Sequence, residues 1–331
     1  MTNPDFDVLA IGNAIVDVFS RVEEDFLARH NVTKGMMRLV SEEESAALFE
    51  DMGPSTQISG GSGANTAVGI ASFGGKVGFI GKVKADRLGQ VFTHDTRSSG
   101  VRFSTLHAAS GPSTASSLIL ITPDGERTMN TFLGACVHLA PGDIDETVVA
   151  AARVTYLEGY LWDPPLAKEA FKKAARIARQ AGRLVSITLS DSFCVDRHRE
   201  SFLDLIRSDI DILFANEKEI KSLYRVDDFD AAMQRARHDC AIVALTRSEA
   251  GCVIVKGAEV HVVEAHPVAR VVDATGAGDL FASGFLYGFT RDLPLAQCAR
   301  LGALAAAEVI SHVGARPQLS LNAYAKEHGL L

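Results

Sequence analysis

The segment Asp273-Ala274-Thr275-Gly276-Ala277-Gly278-Asp279 runs directly into an apolar stretch, Leu280-Phe281-Ala282-Ser283-Gly284-Phe285-Leu286. Its glycines let the backbone amides of Gly276, Ala277 and Gly278 turn toward one point. The dipole of the helix that follows adds positive potential there, so the segment makes an anion hole. A carboxylate beside a bound anion is repelled unless it acts on a proton nearby. Asp279 therefore suits a general base for a hydroxyl attacking a phosphate. The plainer alternative is a helix N-cap or a first-turn acid favoured by the dipole alone. No GxxxxGK[ST] is present, and the nearest approach, around Gly81-Lys82-Val83, lacks both the spacing and the hydroxyl. That excludes a P-loop enzyme.

Other residues could complete such a site, each with a structural alternative. Asp17 follows the first strand, where open α/β sheets bind ligands, and a carboxylate can accept from both hydroxyls of a vicinal diol. Asn65 can hold a sugar hydroxyl, or cap a small-residue helix starting near Thr66. Gly61 would let a sugar approach the backbone, or simply make a turn. Asn216 and Glu219 share one helical face, a spacing that a capping pair also uses. Arg127, beside a hairpin turn, could neutralise a moving phosphoryl group or be merely solvated. Phe193 and Tyr160 could be platforms for a base or parts of a core.

The elements that must position these groups are legible in outline. Strands are expected at Val8–Ile11, Val77–Ile80, Val154–Leu157, Leu184–Thr188, Ile210–Phe214 and Ile242–Leu245. Helical stretches are expected at Pro165–Ala181, Arg199–Arg207 and Glu217–Leu223. Alternation from about 150 to 250 implies a doubly wound, mostly parallel sheet. Cys252–Lys256 and Glu259–Val263 suggest an edge hairpin. The alanine-rich Ala296–Ile310 suits close packing on the sheet. Segments near 19–58 and 101–133 break the β-α-β rhythm. The second holds Ala115–Ile121 and Arg127–Phe132 around Pro123-Asp124-Gly125, a hairpin signal. Both are expected to build a small β-sheet lid interleaved with one α/β domain over residues 1–331.

Composition bounds the partners. The 331 residues carry a net charge of −8 with no long basic tract, which argues against a nucleic-acid surface. Arg197-His198-Arg199 reads as a solvated helix face. No apolar run reaches a membrane span, and Met1 to Asp7 is polar and acidic, so a cytoplasmic protein is expected. The five cysteines, 136, 194, 240, 252 and 298, lie far apart without a CxxC, and are expected to be buried thiols.

Asp273–Asp279 with Gly284 resembles the C-terminal signature of the ribokinase-like (PfkB) carbohydrate kinases. Gly60-Gly61-Ser62-Gly63-Ala64-Asn65-Thr66-Ala67 resembles their N-terminal signature, in the family's order and about two hundred residues upstream. Finer matches point to the adenosine kinase branch. Gly12-Asn13-Ala14-Ile15-Val16-Asp17 resembles the branch's first-strand motif, whose Asn and Asp face the ribose. Asp211–Glu219 is similar to a strand leading into an NxxE motif. Leu189–Phe193 resembles a loop whose Phe packs near the base, and Gly125–Thr128 a lid hairpin carrying a phosphate-reaching Arg. Thr246 and Gly251 match a T-x-G-x-x-G nucleotide turn, although Ser248 stands where many relatives have Gly. Gly63-Ala64 is closer to the sugar-kinase form.

The resemblance implies ATP with Mg²⁺, its waters organised by Asn216 and Glu219, and a slot for ATP's adenine along the alanine-rich helix. It also implies a monovalent cation such as K⁺ at Asp273, Thr275 and Gly314. The implied reaction is ATP-dependent phosphorylation of a nucleoside 5′-hydroxyl, with adenosine giving AMP, by a monomer or homodimer. The alternatives are a PfkB-type sugar kinase acting on ribose or fructose, another nucleoside such as inosine or guanosine, and a non-catalytic nucleotide-binding regulator. Retention of Asp279, Asn216, Glu219 and Arg127 together argues against the regulator. A first strand ending in Gly-Asn-Ala argues against a dinucleotide oxidoreductase.

Overall fold

The apolar runs become strands buried on both faces, as a parallel sheet covered by helices requires. The computed structural model describes residues 4–331, so the first three residues of the polar start lie outside it. In chain order the strands are β1 (Phe6–Ile11), β2 (Ile15–Arg21), β3 (Met37–Leu39), β4 (Thr56–Gly60), β5 (Val77–Ile80), β6 (Arg102–Phe103), β7 (Ala115–Ile121), β8 (Arg127–Phe132), β9 (Ala152–Glu158), β10 (Leu184–Thr188), β11 (Ile212–Asn216), β12 (Ile242–Thr246), β13 (Cys252–Lys256) and β14 (Glu259–Val263).

The large sheet has the order β14-β13-β12-β11-β10-β9-β1-β5-β6. It is parallel except for β13 and β14, the expected edge hairpin. On one face, the helices Pro165–Gln180, Ser192–Asp209, Glu217–Tyr224 and Phe229–Asp239 pack around Trp162, Phe171 and Phe202. On the other, Ser62–Ser72, Arg87–Ser98, Ala277–Phe289 and Leu295–Ile310 surround Tyr156, Phe214 and Phe285. The small sheet has the order β3-β8-β7-β2-β4. Its chain leaves the large sheet after β1 and again between β6 and β9.

Several expected boundaries move. The small sheet begins at Ile15 and its first segment ends at Gly60, so Asp17 lies mid-strand in β2 rather than at the end of β1. Arg102–Phe103 pairs with β5 of the large sheet, where Phe103 packs on Phe79 and Phe92, so residues 101–103 are not part of the small one. A short apolar pair carries no mark of which sheet it will join. The helix expected from Arg199 starts at Ser192, because Asp191 caps it by accepting from the Cys194 amide at 2.6 Å. Non-helical dihedrals at His198 break it. The strand expected from Ile210 starts at Ile212. The alanine-rich helix packs chiefly on the helix Ala277–Phe289 and only secondarily on β13 and β14.

Arg197 and His198 both meet Asp163, and Arg199 pairs with Asp196, so that basic cluster is an ion-paired helix face. All five cysteines are free and buried. Among the described residues no helix is long and apolar enough to cross a membrane.

Candidate active site

From β1 the chain proceeds to β5 and β6 on one side, while β9 to β14 build outward on the other. The order therefore reverses between β1 and β9, and a crevice opens there at the carboxyl ends of the strands. Glu158, the last residue of β9, closes the floor of this crevice. Its carboxylate accepts from Asn13 N at 3.1 Å, Asn13 Nδ2 at 2.7 Å and Gly63 N at 2.7 Å. Burial pushes its pKa up to about 7 against those hydrogen bonds. Sequence reasoning passed over Glu158. Its signal is an acid ending an otherwise apolar strand. Asn13 is thereby placed in the crevice with Oδ1 buried and unpartnered.

Asp279 is the third residue of the helix Ala277–Phe289. The N-cap is Gly276, whose φ of +82° suits glycine, and a Cβ there would lie 2.8 Å from Ala315 Cα. Asp279 therefore does not cap the helix; it reaches across to the helix Ser62–Ser72. Ser62 Oγ donates to Oδ1 at 2.6 Å and Asn65 Nδ2 to Oδ2 at 3.0 Å. The two helices come this close because position 69 is glycine, where a Cβ would stand 2.4 Å from Ser283 Oγ. Burial raises the Asp279 pKa, while the bonds from Ser62 and Asn65 hold it back. A raised carboxylate is a better proton acceptor, and each oxygen keeps a lone pair for an incoming hydroxyl.

Asn65 is not a cap either. Its helix begins at Ser62 with Gly61 (φ +95°) as N-cap, and Asn65 sits buried one turn in. Arg316, another residue that sequence reasoning missed, donates from Nε to Asn65 Oδ1 at 3.4 Å. Asp17 faces the same space. Burial pushes its pKa up to about 6; Arg316 and Arg127 oppose that rise and Asp279 adds to it.

Arg127 of β8 forms an ion pair with Asp273 and lies over the Phe19 ring. This pair fastens the small sheet to the start of the glycine-rich turn. Asp273 also accepts from Thr275 N at 3.0 Å, Thr275 Oγ1 at 2.6 Å and Gly314 N at 3.0 Å. A guanidinium and three further donors thus surround the carboxylate expected to hold a monovalent cation. That donor-filled arrangement does not fit one.

Asn216 and Glu219 form a reciprocal capping box: Asn216 N donates to Glu219 at 2.9 Å, and Glu219 N to Asn216 Oδ1 at 2.9 Å. Glu219 is buried, and its pKa is pushed up to about 7 by burial and by the nearby Asp191. Glu219 has no cationic partner among the described residues, so its carboxylate fits a divalent ion held through water. Thr246 ends β12, and Gly251 turns the chain into β13 at φ +81°. Ser248 keeps a left-handed φ of +50° without being glycine. Phe193 is 74% exposed in the first turn after β10, and Tyr160 is 42% exposed after β9, its amide donating to Ser190 Oγ. Neither aromatic is part of the core.

The pfkB family carbohydrate kinase model matches residues 36–321. A crystal structure of a "probable sugar kinase protein" from Rhizobium etli CFN 42 is 54% identical, with a TM-score of 0.91 over 99% of this chain and 100% of that one. Adenosine kinase from Sinorhizobium meliloti is 51% identical, with a TM-score of 0.90 over 98% of this chain and 99% of that one. The 5-dehydro-2-deoxygluconokinase of Geobacillus kaustophilus is 28% identical over 77% of this chain and 80% of its own length.

Proposed function

The chain belongs to the pfkB family of carbohydrate kinases, and on that premise we propose that it transfers the γ-phosphoryl group of ATP to the 5′-hydroxyl of adenosine. The observation that carries the choice of a nucleoside is the pair of solvent-facing aromatics, Tyr160 and Phe193, at the ends of β9 and β10. A free sugar has no use for an aromatic wall. The likeness at 51% identity to an adenosine kinase supports the same reading.

The acceptor hydroxyl lies against Asp279. Its proton passes to the Asp279 carboxylate as its oxygen bonds to the γ-phosphorus, and the bond from that phosphorus to the β,γ-bridging oxygen breaks, releasing ADP. The amides of Gly276, Ala277 and Gly278 take the developing charge. Asp17, Asn13 and Asn65 hold the ribose, with Gly61 allowing close approach. Thr246 and Gly251 shape the nucleotide side. Glu219 and Asn216 would order the water around Mg²⁺, which when bound neutralises phosphate charge. Arg127 would exchange Asp273 for the phosphates as the small sheet, built from the segments near 19–58 and 104–133, closes as a lid over the crevice.

A second reading keeps this chemistry on a free sugar such as ribose or fructose, supported by the likeness to a probable sugar kinase. Initial rates on adenosine, inosine, guanosine, ribose and fructose separate the two. Adenosine should give the highest kcat/KM, and a higher value on either sugar overturns the nucleoside reading.

A further inference from the structure

Arg316 is a partly buried residue whose guanidinium has unfinished bonding. Its Nε spends one hydrogen bond on Asn65, and Nη2 is buried with no partner. Such a group is rare in a finished interior, because an unpaired buried charge is costly. Burial pushes its pKa down to about 10, and the charges that hold it up are Asp17 and Asp95. Neither acid forms an ion pair with it. Asp95 is engaged elsewhere, accepting from Ser59 N at 3.1 Å. The Asp17 carboxylate makes no side-chain hydrogen bond among the described residues, although its backbone is paired on both sides within β2. An acid and a guanidinium therefore face one space, close enough to shift each other yet unbonded, with Asn65 connecting that space to Asp279.

We propose that Arg316 is a specificity-determining residue of the acceptor site, its Nη2 donating a hydrogen bond to one hydroxyl oxygen of the acceptor while that hydroxyl or its neighbour donates a hydrogen bond to Asp17. The proposal deepens the nucleoside reading and rests on the same acceptor site. A donor-only group opposite an acceptor-only group matches a neutral vicinal diol, which both accepts and donates. A carboxylate-bearing acceptor would be repelled by Asp17. A deoxy acceptor would leave Arg316 unpaired, and sites built to bond a hydroxyl reject analogues that lack it.

The test compares kcat/KM for adenosine, its 2′- and 3′-deoxy forms, ribose and 2-deoxyribose, in the wild type, Arg316→Gln and Arg316→Lys. Wild type should prefer the full diol over at least one deoxy form by roughly a hundredfold or more. Arg316→Gln should reduce that preference to about tenfold or less, with ADP affinity by calorimetry unchanged. Arg316→Lys should retain part of it. A preference that survives Arg316→Gln overturns the proposal. So does an equal loss on every acceptor, which would make Arg316 only a support for Asn65. If Arg316→Gln fails to fold, wild-type calorimetry decides, and equal affinity for adenosine and both deoxy forms refutes the diol contact. If ribose is phosphorylated and adenosine is not, the nucleoside reading fails, and the ribose to 2-deoxyribose ratio judges Arg316 by the same criterion.

Discussion

Asn65 Nδ2 donates to Asp279 Oδ2 at 3.0 Å, bridging 214 residues of sequence and joining the two helix starts that carry the family's signatures. The amide has no freedom to flip without cost. Its Oδ1 already accepts from Arg316 Nε, so turning it would point a donor at a guanidinium. The orientation of the Asp279 carboxylate is thus fixed by the chain Arg316–Asn65–Asp279 rather than by helix capping.

Asp279→Asn removes the proton acceptor while keeping the shape. Turnover should fall by roughly 10²–10⁴, the usual worth of a general base. ADP affinity should stay within a few-fold, because the anion hole is made of backbone amides. A kcat near that of the wild type, with the fold intact, would remove Asp279 from the chemistry.

Glu158 gives a pH signature. Folding raises its pKa from 4.5 to about 7, so the folded chain binds that proton more tightly than the unfolded one. The resulting stability is fully present below the unfolded pKa and is lost as pH rises through about 7. Glu158→Gln should abolish this dependence, leaving a difference from wild type on the order of 1–3 kcal/mol between pH 5 and pH 8. The substitution is tolerable because Asn13 Oδ1 lacks a partner and can accept from the new amide after a flip. Chemical denaturation at the two pH values measures it; parallel curves for both proteins would show that Glu158 does not titrate in this window.

What the sequence disclosed follows from locality. Gly276 with Asp279, the hairpin about Gly125, and the alternation from β9 to β12 are written in neighbouring residues, and each is found where expected. The groups it did not disclose are joined only by the fold. Glu158 binds Asn13 from 145 residues away, and Arg316 reaches Asn65 across 251. No local pattern marks either. Asp17 belongs to β2 and not to the end of β1, because Gly12-Asn13-Ala14, between the two, looks like the end of a strand but also passes the chain to a second sheet. Asn216 and Glu219 show the opposite case, in which a spacing legible in neighbouring residues is found as a reciprocal capping box.

Ser248 offers a test of strain. A non-glycine residue at φ +50° costs roughly 1–2 kcal/mol relative to an unstrained one. Ser248→Gly should relieve part of that and raise stability by about 0.5–1 kcal/mol, net of glycine's greater unfolded entropy. Thermal unfolding with and without ADP reads both stability and the nucleotide turn. A lower Tm would show that the Ser248 side chain contributes a contact worth more than the strain.

Phe193 decides between nucleoside and free sugar. The ring is 74% exposed in the first turn after β10, so truncating it opens no core cavity and Phe193→Ala should leave Tm almost unmoved. Stacking of a base on an aromatic is worth about 1–3 kcal/mol in single-strand nucleic-acid binders, a loose analogue for one nucleoside. Losing it should lower kcat/KM for adenosine by roughly tenfold or more. Ribose carries no base, so weak activity on ribose should hardly change in the same variant. The two substrates then separate the causes: a drop confined to adenosine is stacking, whereas a drop shared by both would come from displacing the Asp191 cap or Tyr160 beside it. An unchanged adenosine kcat/KM at unchanged Tm would mean that no base rests on this ring, and the free-sugar reading would take the nucleoside's place.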